Sequence, residues 1–500
     1  MVGRRAQSGA AANLLLAGGL FVLVAWAYLV SAGGHGYSLD GEMYFRVAEG
    51  IVQRGDISLE SAPPELLAPR GIDGRRYSKY APGQSLLEVP AVVLIGPAWG
   101  QLVGDVPEWE AMRAWVPIVT NALLGALAAT LLYLEASSLG ASRARSAAIV
   151  LALAFGTHLW WHARSDLSEA GQAFLLVGLF ASARRVTAAR APAPIGRALA
   201  AGVFLGALVL MKATYLLIGP VVALAVLWRR GPVRPLALAR DLSLVAVPAL
   251  AGVLVYLAYN QARYGSPLSF GYDEPFDTPL LVGLYGWFFS SGKSVFLYAP
   301  PVAIAALAGP AFWRFHPREA ALIVGLTAPL VVAYAMFWSW DGDFAWGPRF
   351  AVPLIGLWLL PLVRMPASGA WRAALGVAIA AGIWIQSLSV AIDPTRVLWE
   401  MNVQVSPRVH AGATGEQAYR LMLQDVHFVP EFSPVATHWW LARLEIARAV
   451  TPGVEAGRQS AITPPWVTNR QRQAWAPPNA ERMGGLDLWV LGDPGRRLLW

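Results

Sequence analysis

Two carboxylates, Asp40 and Glu42, stand in the run Ser38-Leu39-Asp40-Gly41-Glu42-Met43-Tyr44. A positioned carboxylate can take the proton of an attacking hydroxyl, an effect of about 10²- to 10⁴-fold. Lys79 follows in the same polar stretch, and a lysine ammonium is a compact charge with three donors that suits phosphate oxygens. A base for an acceptor hydroxyl and a cation for a phosphate leaving group are the parts a group transfer needs. Asp40 and Glu42 compete for the base role, and Tyr44 stands beside them at the acceptor side.

A second acidic pair, Asp166 and Glu169, has the i, i+3 spacing that shares a helix face. The pair can cap a helix N-terminus, or it can face Asp40 as a second acidic element for a metal or an acceptor hydroxyl. Hard cations need several oxygen ligands, and no such cage is visible. No metal site is therefore assigned, although a divalent cation is compatible with these acids as a cofactor. His158 and His162 have a metal-compatible i, i+4 spacing, but Trp160 and Trp161 between them point to an interfacial girdle.

Three further cations lie in aromatic-rich segments. Arg263 and Lys293 fall within 259–299, and Arg349 closes Trp338-Ser339-Trp340-Asp341-Gly342-Asp343-Phe344-Ala345-Trp346-Gly347-Pro348-Arg349. With Lys79 they are candidates for a donor phosphate. The alternatives are an aromatic belt at the membrane interface and an arginine that snorkels to the surface. The chain's three lysines, Lys79, Lys212 and Lys293, all fall on one side in the topology below.

The elements that must position these residues are membrane helices. The 500 residues are 56% hydrophobic and 14% charged, against about 25% charged in soluble domains. The apolar runs far exceed the roughly 10-residue segments of a membrane barrel, so the fold class is all-α and polytopic. About 11 transmembrane helices are expected, at about 13–31, 113–135, 146–162, 168–183, two within 198–228, 242–260, 294–312, 319–337, 350–363 and 373–391. The first is read as a retained span, not a cleaved leader.

The net charge of +8 reflects arginines set between apolar runs: Arg143 and Arg145, Arg184 and Arg185, Arg229 and Arg230, Arg314 and Arg318, Arg364 and Arg372. That is the positive-inside pattern and not a nucleic-acid surface. It puts the N-terminus inside and the acids outside. It also requires the Pro- and Gly-bearing stretch 85–103 to lie at the interface, because one more span would turn every later arginine loop outward.

Residues 1–391 thus form a transmembrane domain with a large outer loop at 32–111, and 392–500 an outer-side region. With no cysteine, disulfides and thiolate metal sites are excluded. The Ala-, Gly- and Arg-rich, Lys-poor composition fits a GC-rich bacterial genome, hence a multi-pass protein of the bacterial inner membrane with its active site facing outward.

Asp40-Gly41-Glu42-Met43-Tyr44, Tyr77-Ser78-Lys79-Tyr80-Ala81-Pro82-Gly83, Asp166 to Glu169, Gly206 to Lys212, Tyr259-Asn260 with Arg263-Tyr264-Gly265, and Gly347-Pro348-Arg349 occur in this order over the first 350 residues. In this the chain resembles the GT-C superfamily of membrane glycosyltransferases, of the protein O-mannosyltransferase and aminoarabinose lipid A transferase type. The resemblance implies a polyprenyl-phosphate-linked sugar donor and a lipid, glycan or protein acceptor, with membrane lipids as surroundings. It gives Asp40 the task of assisting the nucleophile and Lys79 contact with the donor phosphate. The chain departs from the pattern in reading Asp-Gly-Glu where many relatives have Asp-Glu, and in the Tyr-Ala-Pro that follows the lysine. Direct displacement would invert the anomeric centre. Two other classes compete: a lipid or sugar transporter or flippase, which should carry charges in mid-span, and a non-catalytic scaffold of the same fold.

Overall fold

The computed structural model describes residues 2–59, 66–94, 108–188, 192–228, 234–271, 274–400, 412–413, 415–450 and 487–488. Among these the chain is helical and carries no strand; two isolated antiparallel bridges, Ser58 with Tyr77 and Arg70 with Arg76, pinch the loop that follows the first helix. Arg229, Arg230 and 95–103 of the interfacial stretch lie outside the described residues, as does most of 451–500.

Among the described residues, five segments have the length and apolar composition to cross a bilayer: Ala11–Val30, Trp109–Ser138, Pro235–Tyr264, Pro317–Met336 and Gly369–Ala391. They belong to helices α1 (Val2–Val30), α4 (Glu108–Ser138), α10 (Pro235–Tyr264), α14 (Pro317–Met336) and α16 (Gly369–Ala391). The molecule is a polytopic helical membrane protein. On α1 the stripe Ala17, Leu20, Val24 and Tyr28 is buried, while Leu15, Val22 and Trp26 are exposed. That helical period separates a face packed on neighbours from one left to lipid.

The other expected spans also fall on helix, but often broken. The third is α5 (Arg143–Phe155), a break at 156–158, then α6 (Leu159–Ala163). The fourth is α7 (Glu169–Ala188). The out-and-back pair is α8 (Ile195–Met211), a turn at Lys212, the 3₁₀ segment Ala213–Ile218 and α9 (Gly219–Leu227). After the short α11 (Leu280–Phe289), the eighth is α12 (Val295–Tyr298) followed by α13 (Pro300–Phe315), and the tenth combines 3₁₀ turns at Arg349–Ala351 and Leu360–Arg364 with α15 (Val352–Leu359) between them. Helices α8 and α10 pack through glycine. A Cβ at Gly206 would lie 2.7 Å from the Pro248 carbonyl oxygen, and one at Gly252 would lie 2.6 Å from the Gly206 Cα. Such small residues let membrane helices approach closely where no water drives them together.

The loop after α1 holds α2 (Leu39–Gln53) and α3 (Gly83–Leu94). The described part of α3 is 12 residues, about 18 Å. Beyond α16 come α17 (Pro394–Glu400), α18 (Gly415–Phe428) and α19 (Pro434–Val450). Tyr419 and His427 of α18 bond to Asp343 and Asp341.

Glu169 and Arg185 are near opposite ends of α7, about 24 Å apart along the axis. The acids and the arginine loops therefore occupy opposite ends of the bundle. Arg143 donates to Asn13 at 2.7 Å, which puts the start of α1 at the arginine end.

Candidate active site

Helix α2 begins one residue before Asp40. Ser38 is its N-cap, its hydroxyl accepting from the Gly41 amide at 2.9 Å, and the first-turn acids suit the positive end of the helix. Asp40 and Glu42 are two residues apart on this helix, roughly 200° around the axis, so they leave on different faces. Asp40 is 19% exposed and is held from two sides: the Tyr80 hydroxyl donates to Oδ1 at 2.5 Å, and Arg349 Nη2 donates to Oδ2 at 2.9 Å. Glu42 is buried between Arg46, at 2.6 Å, and Arg113 of α4, where it ties the first loop to the bundle.

The polar chain continues inward. Arg349 Nε lies 3.5 Å from Glu169 Oε1, which also accepts from Lys212 Nζ at 3.1 Å. His162 Nδ1 is 3.8 Å from Glu169 Oε2. Asp40, Arg349, Glu169 and Lys212 thus form an alternating row, acid–base–acid–base. Burial opposes the Arg349 charge, but Glu169 and Asp40 more than offset it and keep the guanidinium firmly protonated. The Lys212 ammonium sits over the Phe350 ring at 4.7 Å. The Tyr44 ring leans on Tyr80, with centroids 5.1 Å apart. Burial, then the Asp40 charge, pushes the Tyr80 hydroxyl well above the ordinary phenol range, so it stays a donor. Glu169 Oε2, Arg349 Nε and His162 Nδ1 are buried without a hydrogen-bond partner. Buried polar atoms are rarely left so, and such atoms gather at functional sites.

Asp166 does not join this row. Its Oδ2 accepts from the Tyr37 and Ser38 amides at 2.8 and 3.0 Å, and its Oδ1 from the Ser38 hydroxyl at 2.9 Å. It is the post on which the start of α2 rests. A side chain at Gly41 would run into the Asp166 carboxylate, which accounts for the glycine between the two acids. Burial raises the Asp166 carboxyl to about 6 against the pull of those three donors.

The remaining cations divide. Lys79 is 30% exposed, with Nζ 3.4 Å from Glu274 Oε1 and 5.3 Å from the Tyr80 ring centre, at the open side of the site. Arg263 is fully buried. It donates to the Ser78 and Tyr80 carbonyls and to Asn260 Oδ1, and its guanidinium lies 3.9 Å from the Tyr259 ring centre. It therefore fixes the backbone on either side of Lys79. Lys293 Nζ donates to the Asp343, Ala345 and Gly347 carbonyls at 2.9, 2.7 and 3.2 Å and so shapes the loop that delivers Arg349. Burial lowers it to about 8. In that loop Asp341 meets His427 at 3.0 Å, which overcomes burial and brings its carboxyl down to about 2.

Tyr80 and Lys212 were not singled out as site residues from the sequence. A lysine inside an otherwise apolar hairpin is itself a signal, because ionisable groups at membrane depth are costly and mark function. Tyr80 carried no comparable signal. Among the described residues, no three His, Cys, Asp or Glu side chains converge as a metal set, His158 and His162 included.

No family model matches the chain, and no curated protein matches it. Among solved structures it is similar to ArnT from Cupriavidus metallidurans bound to undecaprenyl phosphate, at 16% identity and a TM-score of 0.48, covering 87% of this chain and 72% of that one. It is also similar to ArnT from the same organism in the apo state, at 16% identity and a TM-score of 0.46, covering 88% and 71%.

Proposed function

We propose that this protein is a GT-C-type glycosyltransferase that moves a sugar from a polyprenyl-phosphate donor to an acceptor hydroxyl at the outer face of a bacterial inner membrane. The observation that carries the reading is Asp40, presented by the first turn of α2 between Tyr80 and Arg349, with Lys79 on the same loop. The resemblance of the first-loop motifs supports the donor class.

In the proposed reaction Asp40 takes the proton as the acceptor oxygen attacks the anomeric carbon. The bond from that carbon to the phosphate oxygen breaks on the opposite side, and the configuration inverts. Polyprenyl phosphate leaves as an anion that Lys79 stabilises, with Arg349 adding positive charge from within. Glu169 and Lys212 hold Arg349 in place, Asp166 and Glu42 hold α2, and Arg263 and Lys293 hold the loops of Lys79 and Arg349. Tyr44 lines the acceptor side. A lipid donor accounts for chemistry set at the end of a helical bundle and not in a soluble domain.

The test is transfer by the purified, lipid-reconstituted protein from a panel of polyprenyl-phosphate sugars and nucleotide sugars, with the product anomer read by NMR. Inverted product from a polyprenyl-phosphate donor alone supports the reading. Transfer from nucleotide sugars, or no transfer across a broad acceptor panel while donor lipid is moved between leaflets, overturns it.

A further inference from the structure

At the arginine end, α7, α9 and α14 enclose a groove of about 560 Å³ that no part of the proposed reaction uses. Its wall is apolar, with Val221, Leu224, Leu227 and Leu322, and it opens toward the lipid, where Leu224 is 63% exposed and Trp228 54%. Its floor is set by a close approach of α9 and α14: a Cβ at Gly325 would meet Val221 at 2.6 Å.

The charges stand at the mouth. Arg184 lines the groove and, with Arg185, shares the single carboxylate of Glu135. Arg318 leans over the Trp228 ring at 5.9 Å, and its Nη1 is buried without a hydrogen-bond partner. Glu319 also lines the groove, in the first turn of α14 where the helix dipole favours an acid. Three guanidinium groups against two carboxylates leave the mouth positive, above an apolar slot open to acyl chains.

We propose that this groove is a binding site for an anionic phospholipid of the arginine-side leaflet, with its phosphate on Arg318 and an acyl chain along Leu224 and Leu322. Basic pockets between membrane helices on the cytoplasmic side have the chemistry such headgroups need. Arg184 at the groove is about 22 Å along α7 from Glu169 of the candidate active site, so a lipid held there does not touch the groups of the proposed reaction.

The experiment uses the full chain in detergent, titrated with phosphatidylglycerol or phosphatidylcholine and read by native mass spectrometry. Arg318→Gln removes the charge, and Ala321→Trp fills the slot without touching a charge. Wild type should prefer phosphatidylglycerol, Arg318→Gln should weaken it about fivefold and weaken phosphatidylcholine less, because choline already offsets that lipid's phosphate, and Ala321→Trp should weaken both. Equal binding of the two lipids by wild type overturns the proposal, even if neither variant folds. So does an Arg318→Gln protein of unchanged preference, or a groove that excludes lipid because the chain's own segments or a second copy fill it.

Discussion

Arg349 is the residue whose removal should separate the row of charges from the fold that carries it. Arg349→Met keeps the side-chain stem, which runs past Gly342, where a Cβ would meet Arg349 Cγ at 2.8 Å, and removes the charge. Asp40 loses the 2.9 Å charge-assisted bond at Oδ2 but keeps Tyr80, and Glu169 keeps Lys212. Bonds to charged groups contribute about 1.5–3 kcal/mol. If that contribution is felt when the carboxylate is poised and the phosphate departs, kcat/KM falls about 10- to 150-fold. Breaking a buried pair costs about 3–5 kcal/mol of stability; because both acids retain a partner, the loss should sit at the lower end. The assay is sugar transfer alongside urea or thermal unfolding of the reconstituted protein. The Asp40→Asn/Arg349→Met cycle should show a coupling of about 1–3 kcal/mol in stability. Full activity in Arg349→Met, with strictly additive stabilities in the cycle, would refute the argument that Arg349 holds Asp40.

Glu42→Gln should destabilise the protein, because it loosens Arg46 and Arg113, while transfer by the folded fraction stays within about threefold of wild type; a loss as deep as that of Asp40→Asn would return Glu42 to the base role. Asp166 gives a pH dependence. Its folded value of about 6 lies above the ordinary 3.8, so the folded state holds the extra proton between these values and stability falls as pH rises from about 4 to 6. A rise from 3.8 to about 6 corresponds to about 3 kcal/mol, and unfolding curves of wild type and Asp166→Asn across pH 4–6.5 should diverge in that direction. Lys293→Met should lower the unfolding midpoint sharply by orphaning three carbonyl oxygens, each costing about 1–3 kcal/mol, whereas Lys79→Ala should leave the midpoint nearly unchanged and weaken donor binding.

The five long spans were legible because lipid forces a continuous apolar run wherever backbone must cross it. What interrupts the spans was less so. The break after Phe155 and the 3₁₀ turns beside α15 arise from packing among helices, and period and hydropathy do not report that. The carboxylate ambiguity came from the Asp-Gly-Glu spacing, which does not say which acid faces the site. Ser38 caps a helix that runs from Leu39, which puts Asp40 and Glu42 on opposite sides of one element. Arg263 and Lys293 show another limit. A cation in an aromatic loop has the same sequence signature whether it faces a ligand or, as here, carbonyls of its own chain. Lys212 reaches Glu169 across 43 positions, a pairing that only the fold reveals.

The most direct test of the central claim is single-turnover transfer by Asp40→Asn, with donor binding measured in the same reconstituted preparation. The account predicts that the variant binds the polyprenyl-phosphate sugar as wild type does and transfers it at least about 100-fold more slowly. Transfer at the wild-type rate would contradict it, and so would a loss of transfer fully explained by lost donor binding.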